Sequence, residues 1–301
     1  MNRLRVNLGK LTLETPLIMA SGTFGYGVDI PEIFDMKKIG AVITKTITLN
    51  PRPGNPQIRI WETPSGLINS IGLQNPGVEK FKKDILPELE KLKCKKIVSI
   101  TGNEKELGEI CERLNGEKID GIELNVSCPN IGLKKMVSQD SRLIYKVVDF
   151  VRRKCKFPLI VKLSPNVTDI TEIAIAAEQA GADILSMINT IKAMAVDVDN
   201  KKIIMGGLSG PAIKPVGVRC IYEVYKKVNI PLIGIGGISS GKDALEYLLC
   251  GASAVEIGSI IFSEPSVIED IYNYLKKYLE RKKIKNIGEI VGSLNEKKKK
   301  R

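Results

Sequence analysis

The chain of 301 residues contains no histidine. That absence excludes Ser-His-Asp and Cys-His catalysis. It also excludes histidine-ligated zinc and haem. Any general base is then Cys, Asp, Glu, Lys or Tyr. Cysteines are few and dispersed, at positions 94, 111, 128, 155, 220 and 250, and none forms a CxxC pair. An iron–sulfur or zinc-ribbon site in this chain is not expected, nor is any other metal site. No apolar run reaches the ~18 residues of a membrane span. The opening MNRLRVNLGKLTLE has no apolar core behind its arginines, so no signal peptide is expected. These absences predict a cytoplasmic, reducing setting in which most thiols fill the core. Aromatic residues make up only 5%, and they do not interleave with the basic ones. Specific nucleic-acid binding is therefore not expected, although 46 basic against 34 acidic residues leave a net charge of +12. The alternative from a different class is a non-catalytic barrel that binds a phosphate ligand or RNA through that charge; steep salt dependence would mark it.

What is present is a rhythm. Eight apolar runs recur: Leu17–Gly22, Ala41–Thr46, Ile97–Gly102, Gly121–Ser127, Leu159–Ser164, Ile184–Thr190, Leu232–Ile238 and Ala254–Ile260. Continuous apolar runs are the mark of parallel strands buried on both faces. Helix-like segments lie between them, among them Val78–Leu92, Ser141–Arg153, Asp169–Gly181 and Pro215–Val228. Gly40, Gly181 and Gly251 stand where a helix should end before the next strand. Eight such units in one chain of this length predict an α/β fold, a (β/α)8 TIM barrel, with a doubly wound open sheet as the second choice. Val6–Thr15 is expected to form a short hairpin across the barrel bottom. Residues 1–293 are expected to be one domain, with a frayed basic tail over 294–301.

The strand ends carry the functional signal. In a barrel of this type the active site lies at the C-terminal ends of the strands. Those ends hold Ser21, Lys45, Asn103, Asn125, Lys162, Asn189 with Thr190, Gly236-Gly237 and Gly258-Ser259. Polar groups cap hydrophobic strands nearly all the way round, as a polar ligand would require. A lysine inside the apolar run IVKLS is atypical of a solvated surface charge. Glycines at the last two strand ends would let backbone N–H groups approach a phosphate. Gly234-Ile235-Gly236-Gly237 does not complete a GxGxxG fingerprint. With no histidine available, Cys128 in the loop after the fourth run is a candidate base; the plain alternative is a small buried hydrophobe.

Eight motifs together resemble the class 1 dihydroorotate dehydrogenases, in particular the NAD-linked class 1B branch. They are ASGTFGYG (20–27), TKTITLNPRPGN (44–55), NSIGLQNPG (69–77), ELNVSCPN (123–130), VKLSPNV (161–167), INT (188–190), GGLSGPAIKPV (206–216) and GIGGI (234–238). The resemblance spans about residues 1–290 and implies an FMN-binding barrel that oxidises dihydroorotate to orotate in pyrimidine biosynthesis. It implies that Cys128 takes the C5 proton while hydride leaves C6 for the flavin. Lys45 would touch both flavin and substrate. Asn69, Asn125, Asn189 and Thr190 would bind the substrate, with the run Asn69, Ser70, Ile71, Gly72, Leu73 wrapping it. Ser21, Thr46, Asn103, Asn125, Ile188 and Gly210 would contact FMN, and Lys162 would sit near its N1/O2 edge. Gly236, Gly237, Gly258 and Ser259 would hold its phosphate. Residues Pro129–Gln139 would form a mobile lid.

The resemblance further implies one FMN per chain and a homodimer of this chain. A partner subunit would carry FAD and a [2Fe–2S] cluster and pass electrons to NAD, in a heterotetramer of two plus two. A class 1A enzyme that uses fumarate without a partner, or an enzyme oxidising another dihydropyrimidine, are the alternatives within the enzyme class. Two features depart from the family pattern: Ile191–Met205 is shorter than the family's stretch, and Ser259 replaces its usual Thr.

Overall fold

A computed structural model describes residues 2–28, 34–127 and 137–295. In chain order the first strands are β1 (Val6–Leu8), β2 (Leu11–Leu13), β3 (Leu17–Met19), β4 (Ala41–Ile43), β5 (Ile60–Thr63), β6 (Gly66–Asn69) and β7 (Lys95–Ile100). Then follow β8 (Gly121–Asn125), β9 (Leu159–Leu163), β10 (Ile184–Met187), β11 (Ile191–Asp197), β12 (Lys202–Ser209), β13 (Leu232–Ile235) and β14 (Ala252–Ile257). The α-helices are α1 (Gly77–Lys80), α2 (Leu86–Leu89), α3 (Glu104–Leu114), α4 (Ser141–Lys154), α5 (Ile170–Gln179), α6 (Lys214–Tyr225), α7 (Gly241–Cys250) and α8 (Val267–Arg281).

Eight strands close into a parallel barrel in the order β3, β4, β7, β8, β9, β10, β13, β14. Each predicted apolar run supplies one of them. The strands β3, β4, β9, β10 and β13 are buried at every residue. Inward side chains fill the lumen and outward ones meet the helices, so neither face can be polar by default. The helices bury one stripe each. In α4 the buried residues are Ile144, Val147, Val148 and Val151, one face of a 3.6-residue period. Asp140 caps that helix by accepting from the Arg142 and Leu143 amides.

The hairpin β1–β2 lies at the barrel bottom as expected. Leu8, Leu11 and Leu13 are buried, and Lys10 reaches Asp183, just before β10, at 2.9 Å. Gly181 and Gly251 follow helix ends, with φ of 97° and 131°. Gly40 does something else: it follows a short 3-10 turn, and a Cβ there would meet the Thr15 carbonyl oxygen at 2.1 Å. It admits the hairpin rather than ending a helix. The Val78–Leu92 segment runs as α1, a π turn at Phe81–Ile85 and α2.

One layer was absent from the sequence reading. An antiparallel sheet in the order β11-β12-β6-β5 grows from the loops after two barrel strands. Its strand β11 begins at Ile191, immediately after Thr190, so the sheet stands over the C-terminal mouth. At the other end of the chain, Asn295 is buried and its side-chain amide donates to the Cys250 carbonyl at 2.9 Å.

Candidate active site

Inward-facing residues of the barrel follow from its register. Ile18 pairs with Glu256, Ser99 with Glu123, and Lys162 with Ser186. Lys162 Nζ lies 3.1 Å from Glu256 Oε2 and 3.7 Å from Glu123 Oε2. β9 and β14 are not neighbours in the barrel, so this contact crosses the lumen. The Ser186 hydroxyl donates to Glu123 Oε2 at 3.2 Å. Lys162, Glu123 and Glu256 are 5%, 0% and 1% exposed. Burial alone would lower the Lys162 pKa, but the two carboxylates outweigh it and hold it above the usual lysine value. Burial pushes the Glu256 carboxyl up, Lys162 opposes and Glu123 reinforces, leaving it at about 8. Sequence reasoning found Lys162 and missed both glutamates. The signal was the same, a charged residue inside an apolar run, and it applied equally to GIELN and AVEI.

Above this cluster the mouth is lined by linked polar side chains. Asn125 and Lys162 are register partners at the ends of β8 and β9. The Asn189 amide donates to Ser127 Oγ at 2.9 Å and to Asn125 Oδ1 at 3.4 Å. Thr190 N donates to Asn189 Oδ1 at 2.8 Å. Thr190 packs so closely on Gly207 that a Cβ there would lie 2.1 Å from its Oγ1. Asn69 donates to the Gly207 carbonyl at 3.2 Å. The five residues Asn69, Thr190, Asn189, Asn125 and Ser127 thus form one wall, and all are half-buried. Asn166 braces it from behind, donating to the Thr190 carbonyl at 3.0 Å and accepting from Lys192 N at 2.9 Å. In sequence Asn166 has no role in the site, only a coincidental match to a glycosylation pattern.

Lys45 follows β4, and the Ser70–Leu73 loop continues from Asn69 at the end of β6. The Lys45 side chain is half-buried, and no carboxylate pairs with it among the described residues. Burial, aided by the nearby Arg59 charge, holds its pKa below the usual lysine value. Ser70 Oγ accepts from Asn55 at 2.9 Å, and the Ile71 carbonyl accepts from Asn55 N at 3.0 Å. Gly72 and Leu73 turn the chain with φ of 73° and 56°. The loop is anchored by Asn75, which is buried. It accepts from Thr48 N at 3.1 Å and Gly77 N at 2.8 Å, and donates to Thr48 Oγ1 at 2.8 Å and the Leu73 carbonyl at 2.7 Å.

The remaining predicted residues form two groups. Ser21 donates to the Thr44 carbonyl at 2.8 Å and lies 3.2 Å from Thr46 Oγ1, which lies 2.9 Å from Ser99 Oγ. Gly236-Gly237 and Gly258-Ser259 follow the adjacent strands β13 and β14. Gly237 has a φ of 67°, and a Cβ there would strike the Gly210 carbonyl oxygen at 2.6 Å. A Cβ on Gly258 would meet only Ala20, at 3.8 Å. The Gly258 turn borders open space while Gly236 and Gly237 pack against Ile188, Ile213, Gly210 and Lys214; glycine backbone at such an opening suits a phosphate. Ile188 is buried, its N–H donating to the Ile235 carbonyl at 2.8 Å. Asn103 stands apart in role: its Oδ1 accepts from Glu106 N at 3.0 Å as the N-cap of α3.

Cys128 lies outside the described residues, as does 129–136 of the expected lid; Val137–Gln139 beyond it is a short 3-10 turn with Val137 and Ser138 buried. The other cysteines are buried thiols. Burial pushes Cys94 and Cys220 up to about 11, which keeps them protonated and unreactive. Among the described residues no cluster suits a metal ion, and no helix is long and apolar enough to cross a membrane.

The dihydroorotate dehydrogenase family profile matches residues 3–279. The protein of Caldicellulosiruptor bescii described as dihydroorotate dehydrogenase B (NAD(+)), catalytic subunit, is 47% identical over 297 residues, covering 97% of this chain and 99% of its own. A protein of Bacteroides thetaiotaomicron with the same description is 46% identical over 300 residues, covering 97% and 98%. The solved structure of DHODH from Eimeria tenella in complex with ferulenol matches with a TM-score of 0.83 at 25% identity, over 98% of this chain and 89% of that one. With a closed eight-stranded parallel barrel and a family match across nearly its whole length, this chain belongs to the dihydroorotate dehydrogenase family.

Proposed function

We propose that this chain is the catalytic subunit of an NAD-linked dihydroorotate dehydrogenase, oxidising dihydroorotate to orotate in pyrimidine biosynthesis. The observation that carries this reading is the wall from Asn69 to Ser127. It ends one residue before Cys128 and stands over Lys162 in the barrel mouth. Orotate is planar, with amide-like edges and a carboxylate. Asparagine both donates and accepts, so Asn69, Asn125 and Asn189 suit those edges. Lys45 offers a positive charge to the carboxylate and the flavin. The Ser70–Leu73 loop closes over the substrate, and Thr190 completes the wall. Cys128 removes the C5 proton. A free thiol has a pKa of ~8.5, so the site must favour its thiolate.

The residues present fit FMN, one per chain. Gly236, Gly237, Gly258 and Ser259 supply the phosphate cradle; Ser21, Thr46, Asn103, Asn125, Ile188 and Gly210 line the rest. When bound, FMN supplies the acceptor for the hydride leaving C6. Lys162 holds a positive charge at its N1/O2 edge, an electrostatic task. A partner subunit bearing FAD and a [2Fe–2S] cluster would pass the electrons to NAD, in a two-plus-two heterotetramer built on a homodimer of this chain. The setting is cytoplasmic, and the net charge of +12 draws in anionic substrate and cofactor.

The test is the visible absorption spectrum of the purified chain, taken anaerobically before and after adding dihydroorotate. Flavin bands that bleach are expected. Bands that persist would move the substrate to another dihydropyrimidine. A colourless chain that FMN cannot reconstitute would overturn the reading.

A further inference from the structure

The lumen cluster carries more charge than Lys162 alone requires. Glu123, Lys162 and Glu256 sum to −1 when all three are ionised. Lys95, on the same face of β7, is already paired with Asp120 at 2.7 Å and does not offset that charge. By register, Ile18, Ile43, Ser99, Ser186 and Ile235 share the inward face, and none is charged. A net charge buried in the lumen is costly, whereas a neutral, hydrogen-bonded cluster is tolerable. One oxygen on each acid, Glu123 Oε1 and Glu256 Oε1, is buried without a hydrogen-bond partner among the described residues. A fully ionised carboxylate would need donors at both oxygens.

We propose that Glu123 and Glu256 share one proton in the folded protein and act as positioning residues for Lys162, so that the cluster is neutral while the ammonium keeps its full charge toward the flavin. The inference rests on the reading that Lys162 faces the flavin. Both acids reach the flavin only through that ammonium, so neither is a catalytic residue. The titration runs the same way: burial is the first cause that pushes Glu256 up, to about 8. An unfolded glutamate releases its proton near pH ~4.3. Between these values the folded state binds one proton more than the unfolded state. Stability from this source is therefore complete below the unfolded value and falls as pH rises through the folded one. Above about 8 the cluster becomes negative and opposes the added negative charge of a reduced flavin.

The test compares the holoenzyme with E256Q and E123Q, either of which leaves one carboxylate opposite Lys162. The ratio of wild-type to variant unfolding constants should rise by up to about tenfold per pH unit across the interval below the folded value. The infrared band of a protonated carboxyl should be present in the wild type and absent from both variants. The wild-type flavin potential should fall below the variant's only at alkaline pH. A merely structural role would give a ratio that does not change with pH and parallel potentials. That result, or a wild type without the carboxyl band, overturns the proposal. If one variant fails to fold, the other carries the same comparison, and the wild-type band decides alone if both fail. A chain that takes up no flavin would sink the functional reading, while the band and the unfolding ratio would still decide the shared proton.

Discussion

Replacing Gly207 with alanine tests the substrate wall where it is tightest. A Cβ at that position would lie 2.1 Å from Thr190 Oγ1, 2.6 Å from Thr190 Cβ and 3.3 Å from Thr190 Cγ2. Rotating χ1 could move the hydroxyl but not Cβ, so the Thr190 backbone itself must shift. Overpacking of this kind costs about 1–3 kcal/mol. Gly207 sits in β12, paired with Asn69 on β6 and Lys192 on β11. This sheet is outside the barrel, so the barrel should stay folded while the junction of Asn69 and Thr190 on Gly207 opens. If the wall binds orotate rigidly, the same energy appears as a roughly 5- to 150-fold weaker affinity. Orotate titration of the flavin spectrum measures it, with thermal unfolding as the control. Unchanged affinity in a folded variant would refute the wall as the substrate site.

Cys128→Ala should retain FMN and orotate binding but lose about 10²- to 10⁴-fold in turnover, as for a missing general base; near wild-type flavin reduction by dihydroorotate would remove the assignment. Asn75→Ala breaks four hydrogen bonds and strands the Thr48 and Gly77 amides. It should cost about 2–4 kcal/mol and weaken orotate binding through the Ser70–Leu73 loop, both read by denaturant titration and ligand binding. Gly237→Ala places a Cβ 2.9 Å from Lys214 N and 2.6 Å from the Gly210 carbonyl oxygen. It should loosen FMN retention, measured by gel filtration of the holoenzyme, without changing the barrel's circular dichroism.

The barrel was legible because parallel strands buried on both faces have no choice but apolar runs. Each of the eight runs named its strand, and the polar residues at their ends marked the mouth. The sheet over the mouth was not legible. In β11 the alternation is real, with Lys192, Met194 and Val196 exposed and Ile191, Ala193 and Ala195 turned in. Yet both sets are largely apolar, so the period-2 signal cancels. Asn166 and Asn75 were missed for a different reason: an asparagine that braces backbone looks the same in sequence as one in a solvated loop. Asn103 shows the converse ambiguity, since Asn at a strand end followed by Glu three residues later also spells a capping box.

The buried cluster is where sequence logic for stability and for function part company. A barrel selected only for stability would fill its lumen with branched apolar side chains. Here Glu123, Lys162, Ser186 and Glu256 occupy it, linked at 3.1–3.7 Å. Breaking such a set at one member is destabilising by about 3–5 kcal/mol, because a buried charge loses its partner. Replacing the whole set at matched volume should be neutral or stabilising by about 1–4 kcal/mol. The combined variant Glu123→Leu, Lys162→Met, Ser186→Ala, Glu256→Leu should therefore melt no lower than the wild type, whereas Lys162→Met alone should melt well below it. The same combined variant should bind flavin poorly or hold it at a lower reduction potential, having lost the positive charge at the N1/O2 edge. A combined variant that unfolds while Lys162→Met survives would mean that the charges hold the barrel together. The lumen cluster would then be part of the fold's stability rather than a cost that the fold carries for its chemistry.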